Sequence, residues 1–224
     1  MAESSSRPHS SVEIRRVDQK KQEKVAGIFS AAEELFLSQG YHATTIEQVA
    51  RKAGVSVGSI YVYFRSKEGL CLALLDKALD VQERYLSEAI DPAEDAVDSL
   101  RRLGRAYLRF FLAHPRYFKL LMFLEHGGLG HADLDGDPSH DAYALRTERQ
   151  LQLVASLLID GVQRGQFREV DPMSAAQFLW GSWTGAISLT GRKGPTRVPL
   201  EDLPQLLELG ADLVLNGLRR RDAL

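Results

Sequence analysis

The chain has 224 residues, 44% hydrophobic and 26% charged, enough apolar material for one domain or two modest ones. No apolar run approaches the roughly 18 residues a membrane helix needs, and the opening MAESSSRPHSS lacks the apolar segment of a secretory signal, so a folded cytoplasmic protein is expected. The formal net charge of −2 argues neither for nor against nucleic acid, and the single cysteine, Cys71, excludes an internal disulfide.

Charge is unevenly spread: ten Lys/Arg face eight Asp/Glu through residue 70, and eighteen face twenty-two beyond it. Residues 1 to 17, rich in serine and charge, have nothing to bury and read as a flexible arm. The run IRRVDQKKQEK carries Arg15, Arg16, Lys20, Lys21 and Lys24, which suit either a strip along a polyanion or a solvated helix start. From there Val25, Ile28, Phe29, Ala32, Leu35 and Phe36 recur every three or four residues, the spacing of an amphipathic helix, and Gly40 follows where it would stop. Thr44 and Thr45 offer an N-cap to a short helix bearing Ile46, Val49, Ala50 and Ala53, which Gly54 ends.

The next stretch, VSVGSIYVYF at 55 to 64, has the propensities of a strand. A lone strand in a helical chain has no partner for its backbone, however, and the alternation fails at Gly58-Ser59. As a helix starting near Ser56, the stretch turns Ile60 and Phe64 inward, four residues apart, and spreads Val57, Gly58, Ser59, Tyr61 and Tyr63 over the remaining surface. So short a helix needs a neighbour, and the helix before it lies across the tight turn AGVS, which makes a helix-turn-helix or an ordinary helical hairpin. Ser66 and Lys67-Glu68 start the next helix, with Leu70, Leu74, Leu75 and Ala78 on one face, running to about Ile90 before Asp91-Pro92. Cys71, with no histidine near it in sequence, is expected to pack.

Beyond Pro92 the periodicity stays helical. AEDAVDSLRRLGRAYLRFFLAH buries Val97, Leu100, Leu103, Tyr107, Leu108 and Phe111, and PRYFKLLMFLEH restarts at Pro115, a good first-turn residue. The loop GGLGHADLDGDP precedes a helix over about 139 to 164, and Gly165, Asp171 and Pro172 mark the junction to MSAAQFLWGSWTGAISLTG. After GRKGPTRVP, LPQLLELGADLVLNGLRRR closes an all-α chain of about nine helices with no convincing strand.

The run TTIEQVARKAGVSVGSIYVYFRSKEGL, with GYHA before it and an apolar helix upstream, resembles the DNA-binding region of the TetR family of transcriptional regulators, at motif level over residues about 20 to 70. The resemblance implies a helix-turn-helix domain at 18–68, a ligand-binding and dimerisation domain at 69–224, and a homodimer that leaves operator DNA when a small molecule binds. It further implies that Thr44 contacts a phosphate, that Ser56, Val57, Gly58, Ser59, Tyr61 and Tyr63 face the groove, and that Lys67 grips phosphate. Val62 stands where related proteins often carry a polar or aromatic residue. With few long polar side chains to read bases, specificity is expected from methyl contacts and DNA shape.

In the larger domain, the candidate dimer face combines Trp183, Ile187, Gly181 and Gly185 with Leu206, Leu209, Gly210, Leu213, Val214 and Gly217, because small residues let helices approach closely. The alternative is a monomer core. Phe111, Phe118, Met122 and Trp180 are the candidate effector contacts, with Phe110 and Phe123 nearby and His114, Glu125 or His126 as a polar group, although such a stripe equally suits a core. The loop bearing His131, Asp133, Asp135, Asp137 and His140 begins like a calcium loop but has Pro138 after the third aspartate and Ala144 where a bidentate glutamate belongs, so no metal and no cofactor are expected. An all-helical enzyme would need a nucleophile with its base, paired carboxylates or a phosphate loop, and none is visible. A helical protein-binding adaptor remains the other reading, separated from a DNA-binding one by salt-dependent DNA retention.

Overall fold

The computed structural model describes the backbone of residues 11–91, 95–125 and 138–220, and the side chains of these except 11–18, 123–125 and 138–140. Among the described residues there are nine α-helices: α1 Ser11–Gln39, α2 Ile46–Ala53, α3 Val57–Phe64, α4 Lys67–Ser87, α5 Ala96–Ala113, α6 Pro115–Glu125, α7 Pro138–Gln163, α8 Pro172–Ser188 and α9 Leu203–Leu218. A 3-10 turn at Leu189–Gly191 and one isolated bridge, Phe167 to Arg219, complete the regular structure. No helix among the described residues is long and apolar enough to cross a membrane.

Two compact units are distinguishable, one with residues 11–74 and 123–125, the other with 75–122 and 138–220 of the described chain. In the first, Ile28, Ala31, Ala32 and Phe36 of α1 share a core with Val49 and Ala50 of α2, Ile60 of α3 and Leu70 and Leu74 of α4. The helix α1 begins at Ser11, so residues 11–17 of the expected flexible arm are helical. The apolar periodicity that marks a core-facing helix is weak there, but Glu, Arg, Gln and Lys sustain helix by propensity without burial. Residues 1–10 lie outside the described residues.

The second unit is built on α5, whose Leu100, Leu103, Tyr107 and Phe110 are fully buried among α7, α8 and α9. Its start is capped twice: Asp95 accepts the Asp98 amide at 2.8 Å, and Gln166 Oε1 accepts the Ala96 amide at 3.1 Å. Asp171 caps α8 through the Ser174 amide, with Pro172 at the first helical position, where its missing N–H costs nothing. Arg146 of α7 joins three carboxylates of α4, bonding Asp80 and Glu83 at 2.7 Å and Asp76 as well. The loop expected before α7, with His126, His131, Asp133, Asp135 and Asp137, lies outside the described residues, as do the side chains of Phe123, Glu125 and His140.

Cys71 is buried on α4, and loss of hydration, with the Glu68 charge adding to it, pushes its thiol up to about 12. Neutral thiol is favoured in the fold over the unfolded chain. That stabilisation is complete at neutral pH and is lost as pH climbs from the free-thiol range toward 12. A disulfide exchange reagent at pH 8 should therefore label the native protein at least tenfold more slowly than the urea-unfolded chain.

Candidate nucleic-acid interface

The first unit presents one side of α3, an eight-residue helix like α2, outward, and local chemistry explains how. Thr45 forms a capping box with Gln48: the Thr45 hydroxyl accepts the Gln48 amide at 3.3 Å, and Gln48 Oε1 accepts the Thr45 amide at 2.9 Å. Such a cap is worth about 1 kcal/mol to a helix of two turns. At the other end Gly54 takes φ +68°, a left-handed conformation that a side chain disfavours, and the Val55 amide reaches back to Ala50 O at 3.0 Å. Ser56 then caps α3, its hydroxyl accepting the Ser59 amide at 3.2 Å.

Only Ile60 of α3 is fully buried, while Phe64 sits against Phe29 of α1 with ring centroids 5.3 Å apart. The opposite side carries Gly58, Tyr61 and Val62, with Tyr61 47% and Val62 81% exposed, and the capping Ser56 is exposed at the helix start. Val57, Ser59 and Tyr63 flank this face and are half-buried. A Cβ built on Gly58 would meet nothing within 4 Å, so the fold itself does not demand glycine there. An approaching backbone from another molecule would.

The same unit carries several cations. Lys24 of α1 donates to Ser59 Oγ at 2.9 Å, and Ser59 and Ser56 share a hydroxyl hydrogen bond of 2.8 Å, placing an ammonium beside the start of α3. Lys20, Lys21, Arg51 and Arg65 are exposed on the same unit. Lys67 is half-buried: its ammonium donates to the Tyr41 and Thr44 carbonyls at 3.1 Å each and lies 4.2 Å from the Tyr41 ring centre, so part of its donor capacity already ties α4 to the α1–α2 turn. Burial disfavours the charge of the neighbouring Glu68 carboxyl. Hydrogen bonds from its backbone, Tyr41 and Ser66, with the Lys67 charge, nonetheless hold it below the usual range.

Thr44 is placed differently from the expectation. It is 1% exposed, its hydroxyl donating to Gly40 O at 2.7 Å and accepting from Gln39, so a phosphate cannot reach it. The exposed member of the pair is Thr45, and in the sequence two adjacent threonines offer the same cap.

In the larger unit, Trp183 and Ile187 do not form the expected outer face: both are buried in the chain's own core, Trp183 lying on Gly104 of α5. The outward side of α8 carries Phe178, Gly181 and Gly185 instead, and α9 turns Leu209 and Leu213 to the outside with Gly217, Leu206 and Gly210 being half-buried or at their edge. Of the expected effector residues, Phe111, Phe118 and Trp180 belong to one aromatic cluster around Tyr107. Phe118 packs on Phe111 at 5.1 Å and on Tyr107 at 5.9 Å, and Tyr107 lies 4.9 Å from Trp180, with Met122 half-buried. None of Phe111, Phe118, Met122 and Trp180 lines the cavity of 230 Å³ found between α5 and α9, which Trp183 does line.

Residues 28–74 match the model of the bacterial regulatory proteins of the tetR family, and residues 100–214 match a tetracyclin repressor-like C-terminal domain. The regulator RutR of Escherichia coli strain K12 is 30% identical over 164 residues, 71% of either chain. TtgR of Pseudomonas putida is 37% identical over 98 residues, and HbdR of Aromatoleum is 41% identical over 80. These matches span under half of TtgR and about a third of HbdR, 46% and 35% of their lengths. Among solved structures, the regulator PfmR of Thermus thermophilus superposes with a TM-score of 0.67 at 25% identity, over 86% of this chain and 99% of that one. The ketosteroid transcriptional regulator KstR2 of Mycobacterium tuberculosis shares the fold, with a TM-score of 0.68 at 21% identity over 88% and 95%. Each of these relatives is a transcriptional regulator rather than an enzyme.

Proposed function

From the tetR family of bacterial regulatory proteins, to which this chain belongs as a DNA-binding transcriptional regulator, we propose a repressor that holds a palindromic operator as a homodimer and is released by a small apolar or aromatic effector. It acts in the cytoplasm, with residues 18–68 reading DNA and 69–224 binding ligand and dimerising. The observation that carries the reading is the outer side of α3, where Gly58, Tyr61 and Val62, with the capping Ser56 at the helix start, are open to solvent while Ile60 anchors the helix from behind. A helix lying in a major groove needs that division.

In this reading Gly58 admits the duplex backbone, Ser56, Ser59, Tyr61 and Tyr63 hydrogen-bond to it or to base edges, and Val57 and Val62 touch thymine methyl groups. Lys24, Thr45 and the remaining donor capacity of Lys67 face phosphates. Palindromic DNA requires two heads, and the exposed apolar sides of α8 and α9 supply a surface for a symmetry-related copy.

Selection from random duplexes tests the proposal. The enriched sites should be inverted repeats, bound with an affinity that falls steeply and linearly in log–log form with salt. Tyr61→Ala should weaken binding by about 1–3 kcal/mol, and Val57→Ala should relax the preference among operator variants. Retention that ignores salt, or no enrichment at all, would overturn it.

A further inference from the structure

The cavity between α5 and α9 has a composition that specifies an occupant. Gly104 and Ala211 are the two smallest residues that line it, and about 230 Å³ is open between the two helices. Its inner wall is apolar, from Leu100, Leu108 and Leu207, and its floor is the Trp183 indole, held so closely on α5 that a Cβ at Gly104 would stand 3.1 Å from the ring.

The mouth is charged. Arg101, Arg105 and Glu208 line it, and with Asp212 paired to Arg101 two guanidinium groups meet two carboxylates there. Arg101 is engaged twice, by Asp212 and, at 3.5 Å, by Glu208. Arg105 donates through Nε to Glu208 and also feels the Asp98 charge, while among the described residues its two terminal nitrogens make no hydrogen bond. Those nitrogens form the edge that accepts a carboxylate through two parallel hydrogen bonds. The Glu208 hydrogen bond fixes the guanidinium's position without consuming that edge.

We propose that this cavity binds a small apolar monocarboxylate, its hydrocarbon part on Trp183 and its carboxylate on the terminal nitrogens of Arg105. Size sets the class: a protein cavity of about 150 Å³ holds benzene, and drug-sized pockets start near 300 Å³, so an acid with about six to ten carbons fits. The proposal rests on the ligand-responsive reading above for its consequence, release of DNA, but not for the binding itself.

Calorimetry with 4-phenylbutyrate, and with its neutral amide as control, tests the site in the full chain. The acid should bind at least tenfold tighter than the amide, and Arg105→Gln, on an exposed side chain, should remove that difference. Ala211→Phe, which fills the cavity, should abolish binding of both, with circular dichroism and Arg105→Gln as checks that a loss is not unfolding. Equal binding of acid and amide, or unaltered acid binding to a folded Ala211→Phe, overturns the proposal. Anisotropy with a selected duplex is read in parallel: acid that binds but leaves DNA bound upholds the site and overturns effector-driven release, whereas DNA binding with no uptake of the acid overturns the site alone.

Discussion

Gly69→Ala is expected to weaken operator binding about a hundredfold or more and to lower the melting temperature, while Gly58→Ala, eleven residues earlier, weakens DNA binding with no loss of stability. The two glycines differ in what surrounds them. A Cβ on Gly69 would stand 2.1 Å from the Phe64 carbonyl oxygen and 3.3 Å from its carbon, and both obstructing atoms are backbone. That carbonyl is held in turn, since it accepts the Ser66 amide at 2.7 Å, and the chain reverses through Arg65 at φ +65°, a conformation a non-glycine residue adopts at a cost. Nothing flexible can yield, so the methyl must separate the end of α3 from the start of α4.

Overpacking of this kind costs about 1–3 kcal/mol in a core where side chains can adjust, and here the strain falls on the junction that orients the reading helix. Each 1.4 kcal/mol lost in binding is about tenfold. At Gly58 the added methyl enters open space and even favours helix, so any loss of DNA affinity there reports the duplex itself. Thermal melts and anisotropy on the two variants check both halves. A Gly69→Ala protein with normal affinity would show that the junction tolerates displacement, and a Gly58→Ala protein with normal affinity would remove α3 from the groove.

Leu213→Glu is expected to convert the protein to a monomer and to reduce operator affinity by orders of magnitude. Leu213 is 67% exposed on a single chain, in line with Leu209 on α9, while Phe178 on α8 is 65% exposed beside Gly181 and Gly185, which have open space where a side chain would be. Two helices that both present large apolar side chains next to glycine are a surface prepared for close approach by other helices. A glutamate at its centre would be buried unpaired, and by two-fold symmetry would meet its own copy. Because Leu213 contributes little to the core of one chain, the monomer should keep its helical content. A monomer grips one half-site of a palindrome instead of two, which is the source of the loss. Light scattering gives the mass directly, and a variant that stays dimeric would move the interface elsewhere.

Much of α3 was legible in the sequence, for a specific reason. Ile60 and Phe64 stand four apart with a serine cap at Ser56, and a two-turn helix leaves little freedom in which side it buries. The phase of α8 was not legible. That helix is apolar nearly all round, so Trp183 and Ile187 match Phe178 as candidates for the outside until a neighbour chooses between them. Gly104 of α5 makes the choice, because its missing side chain leaves a seat for the Trp183 ring. Gly104, Trp183 and Ala211 also line a cavity that no periodicity announces.

By itself, then, the order of residues determined the helices, most of their ends and which residues of α3 lie on its exposed side, since helical spacing and caps are properties of neighbours along the chain. Tertiary structure alone decided that Thr45 and not Thr44 meets solvent, that Trp183 turns inward, and that Arg105 keeps an open edge at a cavity. Those outcomes depend on which residues from distant segments occupy the same space, and local pattern carries no information about that competition.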